Sequence, residues 1–136
     1  MADVSITATS VLKGATAVTN SGTAGGAVTA GQPIYSDSSD GKKLKSADAD
    51  AEASAEAIGI ALHAAENGQP LVYAISGIVG LGAVMTQGEV YVVSATAGGI
   101  APQSDLVSGD YVTVLGVAAS TSNLDLSIEA SGAAKP

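Results

Sequence analysis

Apolar and polar residues alternate with a period of two through much of this chain, most clearly in residues 58–79. Ile58, Ile60 and Leu62 alternate with Gly59, Ala61 and His63; after a polar break, Leu71, Tyr73 and Ile75 alternate with Val72, Ala74 and Ser76. That period belongs to a strand with one buried face. The break at 66–69 contains Asn67-Gly68, a pair that accepts the positive φ angles of a tight turn. The stretch predicts a β-hairpin with one apolar face.

The same reading places strands at 32–36, 43–45, 83–86, 88–94, 100–102, 111–117 and 124–128. Pro33 falls near the start of the first, where a missing N–H is tolerated. Asp40-Gly41 and Ala97-Gly98-Gly99 mark turns. In the last strand Leu124, Leu126 and Ile128 face inward while Asp125, Ser127 and Glu129 face water. Residues 48–57 alternate alanine with acids and carry no apolar stripe, which predicts a short helical turn rather than a long helix. Residues 131–136 read as a frayed tail. Residues 1–30 are rich in Thr, Ser, Ala and Gly, and 20–26 read as turn or loop. Two expectations stand for them: an edge strand at about 4–8, or an arm that orders against a neighbour.

An internal duplication organises these pieces. Gly31 and Gly88, Gly41 and Gly98, Asp48 and Asp105, and Gly59 and Gly116 are each 57 residues apart. The same offset pairs Ile58 with Leu115 and Ile60 with Val117; beyond a turn shorter by two, Leu71 pairs with Leu126 and Tyr73 with Ile128. The expected units span 31–77 and 88–132, with inside and outside preserved and helical turns near 48–56 and 105–108. The prediction is all-β: a small barrel or sandwich, since closure removes exposed edges. Residues 1–30 form an arm or edge strand, 31–132 one domain, and 133–136 a flexible tail.

Composition narrows the core. The 136 residues include no Phe, Trp or Cys and only four Tyr, so burial rests on few large side chains, each contributing roughly 1.5–3 kcal/mol. Such a thin core predicts an oligomer. With no cysteine there is no disulfide frame and no thiolate site. The net charge of −8 argues against nucleic acid, which is bound by clustered cations; Lys42, Lys43 and Lys45 read as a solvated edge. No run approaches the roughly 18 apolar residues of a membrane helix, and the first residues carry no secretory pattern. The expectation is synthesis in the cytoplasm and no membrane partner.

Candidate chemistry is sparse. His63 is the single histidine, with no nucleophile placed beside it by a motif. Asp37-Ser38-Ser39-Asp40-Gly41 echoes a calcium loop, but Lys42-Lys43 stand where ligands should continue; Asx-turn chemistry accounts for the aspartates. Gly77, Gly80 and Gly82 form no phosphate loop. No catalytic, metal or cofactor residue is expected.

The stretches Ala30-Gly-Gln-Pro-Ile-Tyr-Ser-Asp, Ile58-Gly-Ile-Ala-Leu, Gly68-Gln-Pro-Leu-Val-Tyr-Ala-Ile-Ser-Gly77, Gly88-Glu-Val-Tyr-Val-Val-Ser and Tyr111-Val-Thr-Val-Leu-Gly-Val-Ala118 resemble the head decoration, or capsid cement, proteins of tailed phages. That resemblance implies a non-enzymatic β-domain on the outer surface of an icosahedral head, bound to the major capsid protein as a homotrimer or a dimer. Binding the assembled shell in preference to free subunits would stabilise it by mass action against packaged DNA. The expected capsid or subunit contacts are Val4, Ile6, Val11 and Leu12 in the arm, with His63, Glu66 and Asn67 at the hairpin turn. A carbohydrate- or receptor-binding module of a fibre or adhesin is the alternative, and a small hydrolase built on His63 a third.

Overall fold

A computed structural model describes residues 4, 6, 11–14, 16–82 and 85–135. Ten strands form one curled antiparallel sheet, a half-barrel. They are β1 (Leu12–Lys13), β2 (Val18–Thr23), β3 (Pro33–Asp37), β4 (Lys43–Ser46), β5 (Gly59–Ala61), β6 (Pro70–Gly80), β7 (Val90–Val93), β8 (Ile100–Pro102), β9 (Tyr111–Ala118) and β10 (Asn123–Ala134). One short helix, α1 (Glu52–Ala55), lies in the first crossover, and a 3-10 turn at Gln103–Asp105 in the second.

The strand order β4-β3-β5-β6-β10-β9-β7-β8 reads the same from both ends once β3, β4, β5 and β6 are matched with β7, β8, β9 and β10. The register agrees. Pro33 faces Ile60 and Ile34 faces Gly59, just as Val90 faces Val117 and Tyr91 faces Gly116, each pair displaced by the offset of 57. Ala61 opposes Tyr73 where Ala118 opposes Leu124, so the intervening chain runs 62–72 in one copy and 119–123 in the other. The second hairpin is therefore shorter by six residues, not two, and the register counterpart of Tyr73 is Leu124. Ser76 opposes Ser127, and the approximate two-fold of the strand order passes through that pair.

The expected preservation of inside and outside does not hold. Ile60, fully buried, packs in the main core with Val79, Leu81, Tyr91, Leu115, Leu124 and Leu126, whereas its counterpart Val117 is exposed. Ile34 belongs instead to a second core with Leu44, Leu71 and Tyr73, while its counterpart Tyr91 is in the main one. The N-terminal segment adds a second difference between the units. Ala24 and Val28 close the second core over the first unit, bridging to Leu44 and Ala65, so β5 is buried on both faces. Ile75, expected inside, is exposed beside an irregularity where β2 shifts register between Val18 and Thr19.

Residues 18–23, which were expected to include the start of a loop, form β2, because β6 offers a strand edge to pair with. Tyr73 and Ala74 are paired by both β2 and β5, and Val79 and Gly80 by both β1 and β10. Gly77 makes the close approach possible: at φ +89, a Cβ there would sit 2.4 Å from the Thr16 carbonyl oxygen. The chain also reaches the two ends of the sheet, where the Val4 N–H donates to the Ile100 carbonyl at 2.7 Å and the Gly25 N–H to Leu44 at 2.7 Å. This is not a free arm. Most of the edge strand expected at 4–8 lies outside the described residues.

Two further expectations change. Met85 and Thr86 are not in a strand, and Ala83 and Val84 lie outside the described residues. The tail expected from 131 onward is strand: Ala134 opposes Tyr111, and the Lys135 N–H donates to the Asp110 carbonyl at 2.7 Å. Small residues read as loose in sequence pair readily once β9 supplies an edge. The crossover helix is held to β9 by the buried Thr113 hydroxyl, which donates to the Ala55 carbonyl.

Candidate functional site

The four arm residues separate. Val4 and Ile6 pack partly buried against the main core, and Val11 is buried. Ile6 and Val11 both crowd the space above Gly31. Only Leu12 points outward, 69% exposed. Three of the four expected contact residues therefore serve the interior.

His63, Glu66 and Asn67 lie in the connection from β5 to β6, all exposed. The Val72 N–H donates to His63 Nε2 at 3.0 Å, so Nδ1 carries the proton and faces the Ala64 carbonyl at 2.9 Å. The imidazole thus extends the β5–β6 ladder after the Leu62 N–H donates to Val72 O. The Gln69 N–H donates to Glu66 O at 3.0 Å, and Gly68 is at φ +87; positive φ at the third residue only is a type II turn. It docks on the N-terminal segment through Gly68 N–H to Ala24 O at 2.8 Å. Of this connection Ala65 packs in the second core, while His63, Glu66 and Asn67 stay outside it.

The surface the structure brings together lies elsewhere, on the face of β1, β2, β6, β10, β9 and β7 opposite the main core. Directly opposed residues of adjacent strands share a face. Leu12, Gly80 and Asn123 form one row. Ile78, Asp125, Val117 and Val90 form the next, across four strands. Val18, Ser76 and Ser127 form a third. Their neighbours Leu124, Leu126, Val79 and Ala118 are buried on the other side, so the rows form an open sheet face. It gathers Leu12, Val18 (51% exposed) and Val117 (41%), with Ile78 and Val90 half-buried. An open groove of about 460 Å³ runs along it beside Leu12, Lys13, Ile78 and Asn123; Gly80, without a side chain, leaves the floor low. Asp125, exposed near the middle, is the one carboxylate in these rows.

Sequence reasoning named only Leu12 of this face. It did place Asp125 and Ser127 on a wet face, but Val117 was matched to Ile60 and so expected inside. Val18 had no strand to belong to.

Other chemistry is limited. Asp37 Oδ2 accepts from Lys45 Nζ at 2.7 Å, and Asp37 Oδ1 from the Ser39 N–H and hydroxyl; the Lys45 ammonium, then Ser39, hold the Asp37 carboxyl down at about 2. Its partner Lys45 is shifted upward by Asp37 and then Asp40. The Asx turn is as the residues predicted. Burial pushes the Tyr73 phenol up. Among the described residues, no three His, Asp or Glu side chains come together as a metal site would need. Tyr73 and Tyr91 are buried and Tyr35 and Tyr111 half-buried, so no tyrosine offers the exposed ring that sugar stacking uses. No helix of the described residues is long and apolar enough to cross a membrane.

No protein-family model, curated protein or solved structure matches this chain.

Proposed function

We propose that this chain is a non-enzymatic decoration protein of a tailed-phage head, bound from outside to the major capsid protein and stabilising the shell. The supporting observation is the open sheet face, whose rows carry exposed Leu12, Val18 and Val117 and half-buried Ile78 and Val90 between polar residues on a sheet whose β6 is paired on both sides. A face that mixes exposed apolar and polar groups has the composition of a non-obligate protein-contact surface. A decoration protein needs a preformed face of that sort and no reaction centre. Self-association as a homotrimer, or as a dimer, would let each assembly engage several capsid subunits through avidity. Holding the shell from outside involves no contact with DNA, which suits the charge of −8.

The test is to strip this chain from heads of the source virus, add it back, and image the shells by electron microscopy. Regular external density that rises with added protein is the expected result, with shells surviving heat or chelation better. Bare shells at saturating protein would overturn the proposal. A glycan array run in parallel reads out the fibre or adhesin alternative, for which the tyrosine burial offers no support.

A further inference from the structure

We propose that the partner surface for the open sheet face is cationic at its centre, presenting a lysine or arginine within an apolar surround to Asp125. This rests on the reading of the chain as a head decoration protein and assigns the chemistry of its capsid contact. Asp125 faces Val117 on one side and Ile78 on the other, both apolar. Strand pairs gain from opposite charges, hydroxyls or matched apolar groups across the ladder, and a carboxylate between two aliphatic chains has none of these from its opposed residues. The carboxylate therefore contributes nothing to the sheet that Ser or Thr would not. It lies between the exposed Val117 and the half-buried Ile78, and Ile78 lines the groove beside Leu12 and Lys13.

Charge decides the occupant. Once the face is covered, the carboxylate is desolvated, and an unpaired buried charge is strongly unfavourable. A second copy docked face to face about a two-fold near this centre would bring two Asp125 side chains into one dry space, between molecules already at −8 each. A partner donating Lys or Arg removes that cost and forms a charge-assisted hydrogen bond. The complementary charge also fixes which way the sheet face docks, since apolar contact alone is non-directional.

The experiment measures occupancy on stripped heads for the wild type, Asp125→Asn, Asp125→Lys and Asp125→Glu, at low and high salt. Each variant's thermal unfolding is recorded first; the site is exposed, and Asn is nearly isosteric. The proposal expects about tenfold or greater loss for Asp125→Lys, a smaller loss for Asp125→Asn with a flatter salt dependence, and near-normal binding for Asp125→Glu. If the wild type binds and all three variants bind equally, the cationic partner is overturned while the decoration reading stands. If the wild type does not bind, both fall. If sedimentation shows the wild type self-associating and Asp125→Asn doing so more tightly, the face belongs to a second copy and the inference is overturned.

Discussion

Ile60 and Val117 hold the same register position in the two halves of the sheet, yet Ile60 is 0% exposed and Val117 41%. Ile60 faces Pro33 and Ala74 over the main core, and Val117 faces Val90 and Asp125 in the open. Position in the repeat does not determine energetic weight; what covers the residue does. Ile60→Ala is expected to cost about 2–5 kcal/mol, because a cavity remains in packed surroundings. Val117→Thr is expected to fall within about 0.5 kcal/mol of the wild type. Urea unfolding of both variants checks this, and equal effects would refute the asymmetry.

Gly77 is required by the N-terminal segment rather than by its own strand. Its φ of +89, and the Thr16 carbonyl oxygen standing against the place a Cβ would occupy, leave an alanine no room without displacing the segment between β1 and β2. Gly77→Ala is expected to destabilise by about 1–3 kcal/mol. Limited proteolysis should then cut first near residues 14–17. Cleavage elsewhere first would count against this account.

The imidazole of His63 completes a backbone ladder. His63→Ala leaves the Val72 N–H without that acceptor, an expected loss of about 0.5–1.5 kcal/mol. Amide exchange at Val72 should accelerate more than at Tyr73.

Acid should loosen the tip of the β3–β4 hairpin. The Asp37 carboxyl is held down at about 2 from an ordinary 3.8, first by the Lys45 ammonium and then by Ser39. A carboxyl with its folded-state pKa depressed contributes stability above its unfolded value, lost as pH falls through the folded one. The loss is therefore expected from near 3.8 down to about 2. The exchange rate at Ser39 relative to the intrinsic rate at each pH should rise over that range in the wild type and stay flat in Asp37→Asn. A parallel rise in both would assign the effect to other groups.

Much of the strand pattern is legible because alternation and turn residues are local properties. The hairpin of β5 and β6 and the Asx turn at Asp37 follow from neighbouring residues, and the offset between Gly59 and Gly116 from comparing two such local patterns. Alternation separates two faces but does not say which will be covered, and so it misplaced Val117. It was equally silent about Asn20, Ser21 and Gly22, whose polar character hides a strand that exists only because β6 needs a partner. Ala133 and Ala134 read as slack for the same reason. The candidate face was missed because it assembles from six strands, and its exposed apolar residues Leu12, Val18 and Val117 come from three different ones.

The N-terminal segment has one more consequence, for the order of events during synthesis. Val4 bonds to Ile100 in β8, and Gly25 bonds to Leu44 in β4. Gly25 thus meets its partner soon after it is made, whereas Val4 waits for a strand made far later, at roughly 5–20 residues per second. Contacts of such sequence separation slow folding. Ala24 and Val28 can cover Leu71 and Tyr73 as soon as β6 is made, while Val4 stays without its partner until β8 has followed.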